Sequence, residues 1–500
     1  MEVLAEYVVY SEGVPAEIAI VRDDADLVDR YELRHTKLKP ATAAALSFLK
    51  QKIIAGVNIK ISEMLDPRES ENIRKRIVKN ARELVEHELG GLSEEEENII
   101  VGRLAQEMMG LGELELILAD EELEEVVINS AKEPVWVYHK KFGWLKTNLV
   151  IPTEETIHNY ASIIGRRVGR QITNLDPLMD AHLISGDRVN AMLYPISTKG
   201  NAITIRKFAR DPWTIISLIQ NKTINSEAAS LLWLALQYEL SVLIGGGTAS
   251  GKTSFLNSML AFTPSNQRVI SIEDTRELIL PDFLHWTPMT TRQSNPEGKG
   301  KITMLDLMIN SLRMRPDRIV LGEIRRQKEA EVLFEAMHTG HSVYSTLHAD
   351  DAAQVRNRLI SPPIGLPESM LGALHLVVVQ YRQRRTGARR TFEIAEVMPG
   401  EEGISMNVIY KWDAREDQLR KVGNMLRVTN ELSMHTGLTQ TEISKDLKDK
   451  QTILNAMVGQ GISKVNDMGR VVGAYYRNPE QTVALAKDGH LAKLRVTSVA

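Results

Sequence analysis

Residues Ser241–Ser254 read SVLIGGGTASGKTS. The apolar run Val242-Leu243-Ile244 predicts a buried strand. It breaks into Gly245, Gly246 and Gly247, and Gly251, Lys252 and Thr253 follow. Gly246 to Thr253 matches G-x-x-x-x-G-K-[ST], a pattern with a physical meaning at every position. Glycines let the backbone wrap so that successive N–H groups point at phosphate oxygens. The lysine places a charge near the β- and γ-phosphates, and the threonine hydroxyl suits Mg²⁺. The following helix aims its N-terminal dipole at the anion. Gly246, Gly247, Thr248, Ala249, Ser250, Gly251, Lys252, Thr253 and Ser254 are therefore the expected nucleotide contacts. The pattern alone does not choose among kinases, GTPases and helicases.

Strand and helix patterns alternate after this loop, which predicts a helix-covered parallel sheet. Arg268 to Ile272 reads as a strand ending in Glu273-Asp274. Thr303 and Asp306 form a capping-box-like helix start. Arg318 to Leu321 ends in Gly322-Glu323. A helix over Gln327 to His338 stops at Gly340, and Ser342 to Leu347 ends in His348. In open α/β sheets the ligand lies at the C-terminal ends of the strands. Glu273, Asp274, Glu323 and His348 are all expected there. Leu374 to Val397 reads as a hairpin turning at Thr386-Gly387, with Arg382, Arg384, Arg385, Arg389 and Arg390 along it. It is either a charged edge or a docking surface.

Upstream, residues 98–210 carry short strand patterns typical of a small α+β domain. Arginines stand beside its turns, among them Arg188 and Arg206, and surface charge is the simple reading of them. Residues 1–97 read as helical. Ser93 is the expected N-cap for the acidic run Glu94 to Glu97. Asp211-Pro212 reads as a hinge, and 426–500 as a helical extension after a domain spanning 211–425.

The bulk properties narrow the class. The 500 residues carry 43% hydrophobic and 25% charged side chains with a net charge of −4, ordinary for a folded protein and unlike a polybasic nucleic-acid binder. No cysteine is present, which excludes disulfides, cysteine nucleophiles and cysteine-ligated zinc. The N-terminus has no signal-peptide pattern, and no apolar run is long enough to span a bilayer.

GGTASGKTSFLN, RVISIEDTREL, LRMRPDRIVLGEIR and TGHSVYSTLHAD, together with GLGELELILADEELEEVVIN and SGDRVNAMLYP upstream, resemble the motifs of the secretion ATPase superfamily in their family order. These are the motor ATPases of type II and type IV secretion, type IV pili and archaella, and the missing cysteines make the chain more similar to archaeal-type members. The resemblance covers about Leu104 to Met398. It implies a RecA-like P-loop domain preceded by a smaller α+β domain and a helical N-terminal region. It further implies Mg²⁺-dependent ATP hydrolysis in a homo-hexamer, held at the cytoplasmic face of a membrane by an integral platform protein. Glu273 is then the catalytic carboxylate, and Glu323 lies on the Mg²⁺ side with Thr253 and Asp274. Lys252 and His348 contact the γ-phosphate. Arg188 and Arg206 close over the nucleotide from the preceding domain. His341 resembles the second histidine of the His box. Two other classes remain open, a RecA-like nucleic-acid motor and an ATP-gated scaffold with little turnover. Few aromatics and a negative net charge disfavour the first.

Overall fold

The computed structural model describes residues 2–23, 26–34, 40–56, 70–183, 186–208, 212–292, 294, 298–401 and 403–495. The chain forms two compact units, Met1–Arg210 and Asp211–Ala500. The hinge expected at Asp211-Pro212 lies partly, and the tail beyond Arg495 wholly, outside the described residues.

The first unit centres on a nine-stranded sheet of order β1-β2-β3-β6-β5-β4-β9-β8-β7. Its strands are β1 (Glu2–Ser11), β2 (Val14–Arg22), β3 (Arg30–Arg34), β4 (Leu123–Ile128), β5 (Pro134–His139), β6 (Gly143–Val150), β7 (Leu178–His182), β8 (Arg188–Met192) and β9 (Ala202–Arg206). The first three correct the expectation that residues 1–97 are helical. Val, Ile and Tyr in EVLAEYVVYS and VPAEIAIVR suit a pleated, half-buried surface. Glu12 and Gly13 turn the hairpin, both with positive φ (54° and 77°), as a two-residue primed turn requires. Because β3 pairs in parallel with β6, the N-terminal hairpin joins the same sheet as residues 123–206. A boundary at 97 does not separate them.

Helices follow that hairpin: α1 (Pro40–Gly56), α2 (Ser70–Leu89) and α3 (Glu94–Met109). They share a small core of Leu49, Ile53, Ile77, Val85 and Leu104. Ser93 caps α3 through a capping box with Glu96.

The second unit also carries nine strands, ordered β12-β11-β13-β14-β10-β15-β16-β17-β18. They are β10 (Val242–Gly246), β11 (Arg268–Glu273), β12 (His285–Thr290), β13 (Arg318–Leu321), β14 (Ser342–Leu347), β15 (Leu376–Arg382), β16 (Arg389–Gly400), β17 (Gly403–Asp413) and β18 (Gln418–Lys421). From β12 through β15 neighbours are parallel, and from β15 to β18 antiparallel. Both faces of the central parallel strands are covered, so β10, β13 and β14 are buried along their whole length rather than at alternate residues. Val242 and Ile244 enter one core with Trp233, Phe255 and Phe262. Leu243 enters the other with Ile270, Leu333 and Val377. Residues 427–487 add four helices to the first of these faces. Tyr476 ties them down, accepting from Trp233 Nε1 at 2.9 Å and donating to the Phe262 carbonyl at 2.5 Å.

The helix Ser226–Gln237 is capped by Asn225, whose Oδ1 accepts from Ala228 N at 2.8 Å. Thr303 and Asp306 form the expected capping box.

Candidate active site

The strand order puts β14 beside β10 with β13 and then β11 beyond it, all parallel, so the C-terminal ends of β10, β11, β13 and β14 share one edge of the sheet. Local chemistry sets the shape of the loop after β10. Gly246 has φ 152°, and a Cβ there would collide with Ser250 Oγ and the Gln380 carbonyl. Ala249 has φ 58°, and Gly251 has φ 89° at the N-cap of the helix Lys252–Leu260. Left-handed backbone at this cap is why glycine stands there. Ser250 is buried and its Oγ has no partner. Thr253 is half-buried on the first turn, while Thr248, Ala249 and Ser254 are exposed.

Lys252 is 9% exposed. Its Nζ donates to the Gly247 carbonyl at 2.9 Å and to His348 Nδ1 at 3.3 Å, both neutral groups. Burial lowers its pKa, against the opposing pull of Glu323 and Asp350. Across the imidazole, Nε2 lies 3.0 Å from Glu323 Oε1. Accepting at Nδ1 and donating at Nε2 assigns a neutral tautomer. Burial and the nearby Lys252 lower the His348 pKa accordingly. The other oxygen of Glu323 meets Arg325 at 2.9 Å, and Arg325 Nη1 reaches Asp274 Oδ2 at 2.5 Å. Thr291 donates to the second Asp274 oxygen at 3.2 Å. Lys252, His348, Glu323, Arg325 and Asp274 thus form a chain across four strand ends.

Glu273 stands apart from this chain. It is 2% exposed. Its Oε1 accepts from Glu277 N at 2.9 Å and Leu278 N at 3.1 Å, while buried Oε2 has no partner. Burial pushes its pKa up to about 7, although the two amides pull the other way. A carboxyl of that pKa takes up and releases a proton near neutrality, as a general base needs.

His341 lies elsewhere. It precedes β14, and its Nδ1 contacts Thr339 Oγ1 and the Ala336 carbonyl, each at 3.2 Å. A six-residue strand spans roughly 20 Å, so His341 is at the opposite edge from His348 and serves the helix end. Arg188 and Arg206 belong to the first unit. They face each other across β8 and β9, and Glu125 on β4 is opposite Arg206. Arg188 pairs with Asp180 through Nε at 3.1 Å and Nη2 at 2.8 Å. Like charges at facing positions are unfavourable, and these carboxylates offset the repulsion.

Two site residues had no assigned role in the sequence reading. Arg325 sits two residues after Glu323, and that spacing was its only signal. Arg389, one of the hairpin arginines, donates from Nε to the Ala249 carbonyl at 3.2 Å. Neither a free charged edge nor a docking surface describes that contact.

The site chemistry fits a nucleotide with its metal. Among the described residues no group of three or more His, Asp or Glu side chains could cage a metal. Mg²⁺ carried by a nucleotide needs only one or two protein oxygens besides the phosphates, and the Thr253 hydroxyl and Glu323 are of that type. The buried, unpartnered Ser250 Oγ and the ammonium held only by neutral groups suit an anion.

Residues 179–386 match the family described as type II/IV secretion system protein. An uncharacterized protein of Methanocaldococcus jannaschii, MJ0900, is 33% identical over 77% of this chain and 71% of its own length. The type IV secretion system protein PtlH of Bordetella pertussis is 30% identical over 55% of this chain and 89% of its own. Among solved structures, the Legionella pneumophila ATPase DotB aligns over 74% of this chain and 92% of that chain, at 20% identity and a TM-score of 0.41. The matched segment contains the phosphate loop, the carboxylates at the strand ends and His348, and on these sequence relationships the chain belongs to the type II/IV secretion system protein family.

Proposed function

We propose that this protein is a Mg²⁺-dependent ATPase that works as a hexameric motor in secretion or in assembly of a pilus-like filament. The observation that carries the hydrolytic part is Glu273: a buried carboxyl with one free oxygen and a pKa near 7, at the same sheet edge as a phosphate loop. The motor part rests on family membership. The hexamer, the attachment to a membrane platform protein and a cytoplasmic location are parts of the same reading. Among the described residues no helix is long and apolar enough to cross a membrane.

In this mechanism the loop amides and Lys252 hold the phosphates. Lys252 exchanges the Gly247 carbonyl for phosphate oxygen, which also frees His348 to respond to the γ-phosphate. Thr253, Glu323 and Asp274 would hold Mg²⁺, which when bound would supply charge neutralisation. Glu273, when ionised, accepts at Oε2 the proton of the attacking water. The new P–O bond forms as the bond to the bridging oxygen breaks, and ADP leaves with that electron pair. Arg188 and Arg206 add positive charge to the transition state. An arginine in that role is worth about 10³ to 10⁵ in rate.

The test is phosphate release by the purified chain with Mg-ATP, alongside Lys252→Ala and with molecular size measured with and without nucleotide. Turnover lost in Lys252→Ala and a nucleotide-dependent hexamer are expected. Tight nucleotide binding with no phosphate release would favour a gated scaffold, and strong stimulation by single-stranded DNA a nucleic-acid motor.

A further inference from the structure

The arginine hairpin brings a guanidinium to the loop after β10. β15 pairs with β10 on the side away from β14. β16 returns from the turn with Arg389 as its first residue, in register with Arg382. Three contacts fix the backbone here. The Arg389 carbonyl accepts from Thr223 Oγ1 at 3.1 Å, and Thr391 N donates to the Thr223 carbonyl at 2.7 Å. Arg390 grips both oxygens of Asp417 at 2.6 and 2.7 Å. That pairing holds the Asp417 carboxyl down at about 2, so the anchor stays charged at any physiological pH.

Arg389 itself is exposed. Its Nε bonds the Ala249 carbonyl, and its Cδ lies 3.2 Å from where a Gly251 Cβ would be. None of the described groups accepts a hydrogen bond from its Nη atoms. A guanidinium has thus been laid against the N-terminus of the helix Lys252–Leu260. A cation there opposes the helix dipole, and an anion in the loop removes the conflict. The fork geometry of arginine suits phosphate oxygens.

Strand order says which part of the ligand it meets. Glu323 and His348 come from β13 and β14, on one flank of β10, and Glu273 from β11 beyond them. Arg389 comes from the other flank. The γ-phosphate must lie toward the carboxylates that act on it, so the opposite flank receives the diphosphate and ribose end.

We infer that Arg389 is a nucleotide-binding residue, contacting the α-phosphate–ribose side of a nucleoside di- or triphosphate, with the Arg390–Asp417 pair as its positioning anchor. This rests on the reading of the loop as a nucleotide site. Its consequence is that ADP and ATP gain equally from Arg389.

The test measures Mg²⁺-dependent binding of fluorescent ADP and of a fluorescent non-hydrolysable ATP analogue. Arg389→Ala should weaken both by about 10-fold, the usual effect of losing one hydrogen bond to a charged group. Arg389→Lys should recover part of the loss. Arg385→Ala, which removes the same charge from the hairpin tip, should bind as wild type. Arg389→Ala binding both ligands normally, while Lys252→Ala has lost them, would overturn the inference and leave the nucleotide site standing. Weakening of the triphosphate alone would also overturn it, by placing the contact at the γ end. Normal binding by Lys252→Ala would remove the loop reading and the inference together.

Discussion

Glu273→Gln isolates the most unusual proton in the site. The amide keeps a carbonyl to accept from Glu277 N and Leu278 N, and it cannot ionise. In the folded chain burial holds the Glu273 pKa at about 7 against an ordinary 4.5. Below pH 4.5 folded and unfolded chains both keep the proton, and Glu273 adds no pH dependence. Between 4.5 and 7 the unfolded chain releases it and the folded chain does not, so stability falls as pH rises. Above about 7 both are ionised and the penalty is constant. At 1.36 kcal/mol per pH unit the full penalty is about 3 kcal/mol, of which about 2 to 3 kcal/mol develops between pH 5 and 8. Urea unfolding of wild type and Glu273→Gln at pH 5, 6, 7 and 8, followed by tryptophan fluorescence, measures it. Subtracting the two proteins removes every other titrating group. The stability of Glu273→Gln relative to wild type should climb by that amount over the series. A flat difference would mean that Glu273 has an ordinary pKa, and the argument for it as the base would go with it.

Four other substitutions test further parts of the mechanism. His348→Ala cuts the link between Lys252 and Glu323, and should lower steady-state turnover by about 10- to 100-fold with nucleotide affinity changed by less than about 3-fold; a large affinity loss with unchanged turnover would contradict this. Arg188→Ala and Arg206→Ala should each lower turnover by about 10³-fold or more if they act as arginine fingers, with nucleotide binding by the second unit retained; unchanged ATP turnover and filament assembly would exclude that role. Gly251→Ala forces a side chain into backbone at φ 89°, at about 1 to 2 kcal/mol, and should reduce nucleotide affinity, measured by fluorescent ADP titration, far more than it reduces melting temperature.

The phosphate loop and the polar strand ends were legible in sequence because their chemistry restricts residue type. Gly251 adopts a left-handed cap, and Glu273, Glu323 and His348 each stand at the end of a short β-branched-rich run that reads as a buried strand. Where residue type is not restricted, legibility failed. The N-terminal hairpin turns at Glu12-Gly13, which lacks the Asn-Gly or Asp-Gly signal usual for such turns, so strands β1 to β3 read as part of a helical region. Strand β12 contains Pro288, a residue compatible only with its place at the sheet edge. The role of Arg389 depends on hairpin register and on the Thr223 contacts, long-range facts with no local trace. His341 and His348 looked alike as a pair, and only the direction of β14 separates them to opposite edges.

The central claim is that ATP is cleaved at the strand-end edge of the second unit with Glu273 as the base. It is tested most directly by the pH profile of single-turnover phosphate release under saturating Mg-ATP. Wild-type release should rise through an inflection near pH 7, because the base acts only when ionised. In Glu273→Gln the rate should drop by about 100-fold or more, and the residual should be independent of pH. A Glu273→Gln chain that still releases phosphate at the wild-type rate, with the same inflection, would contradict the account.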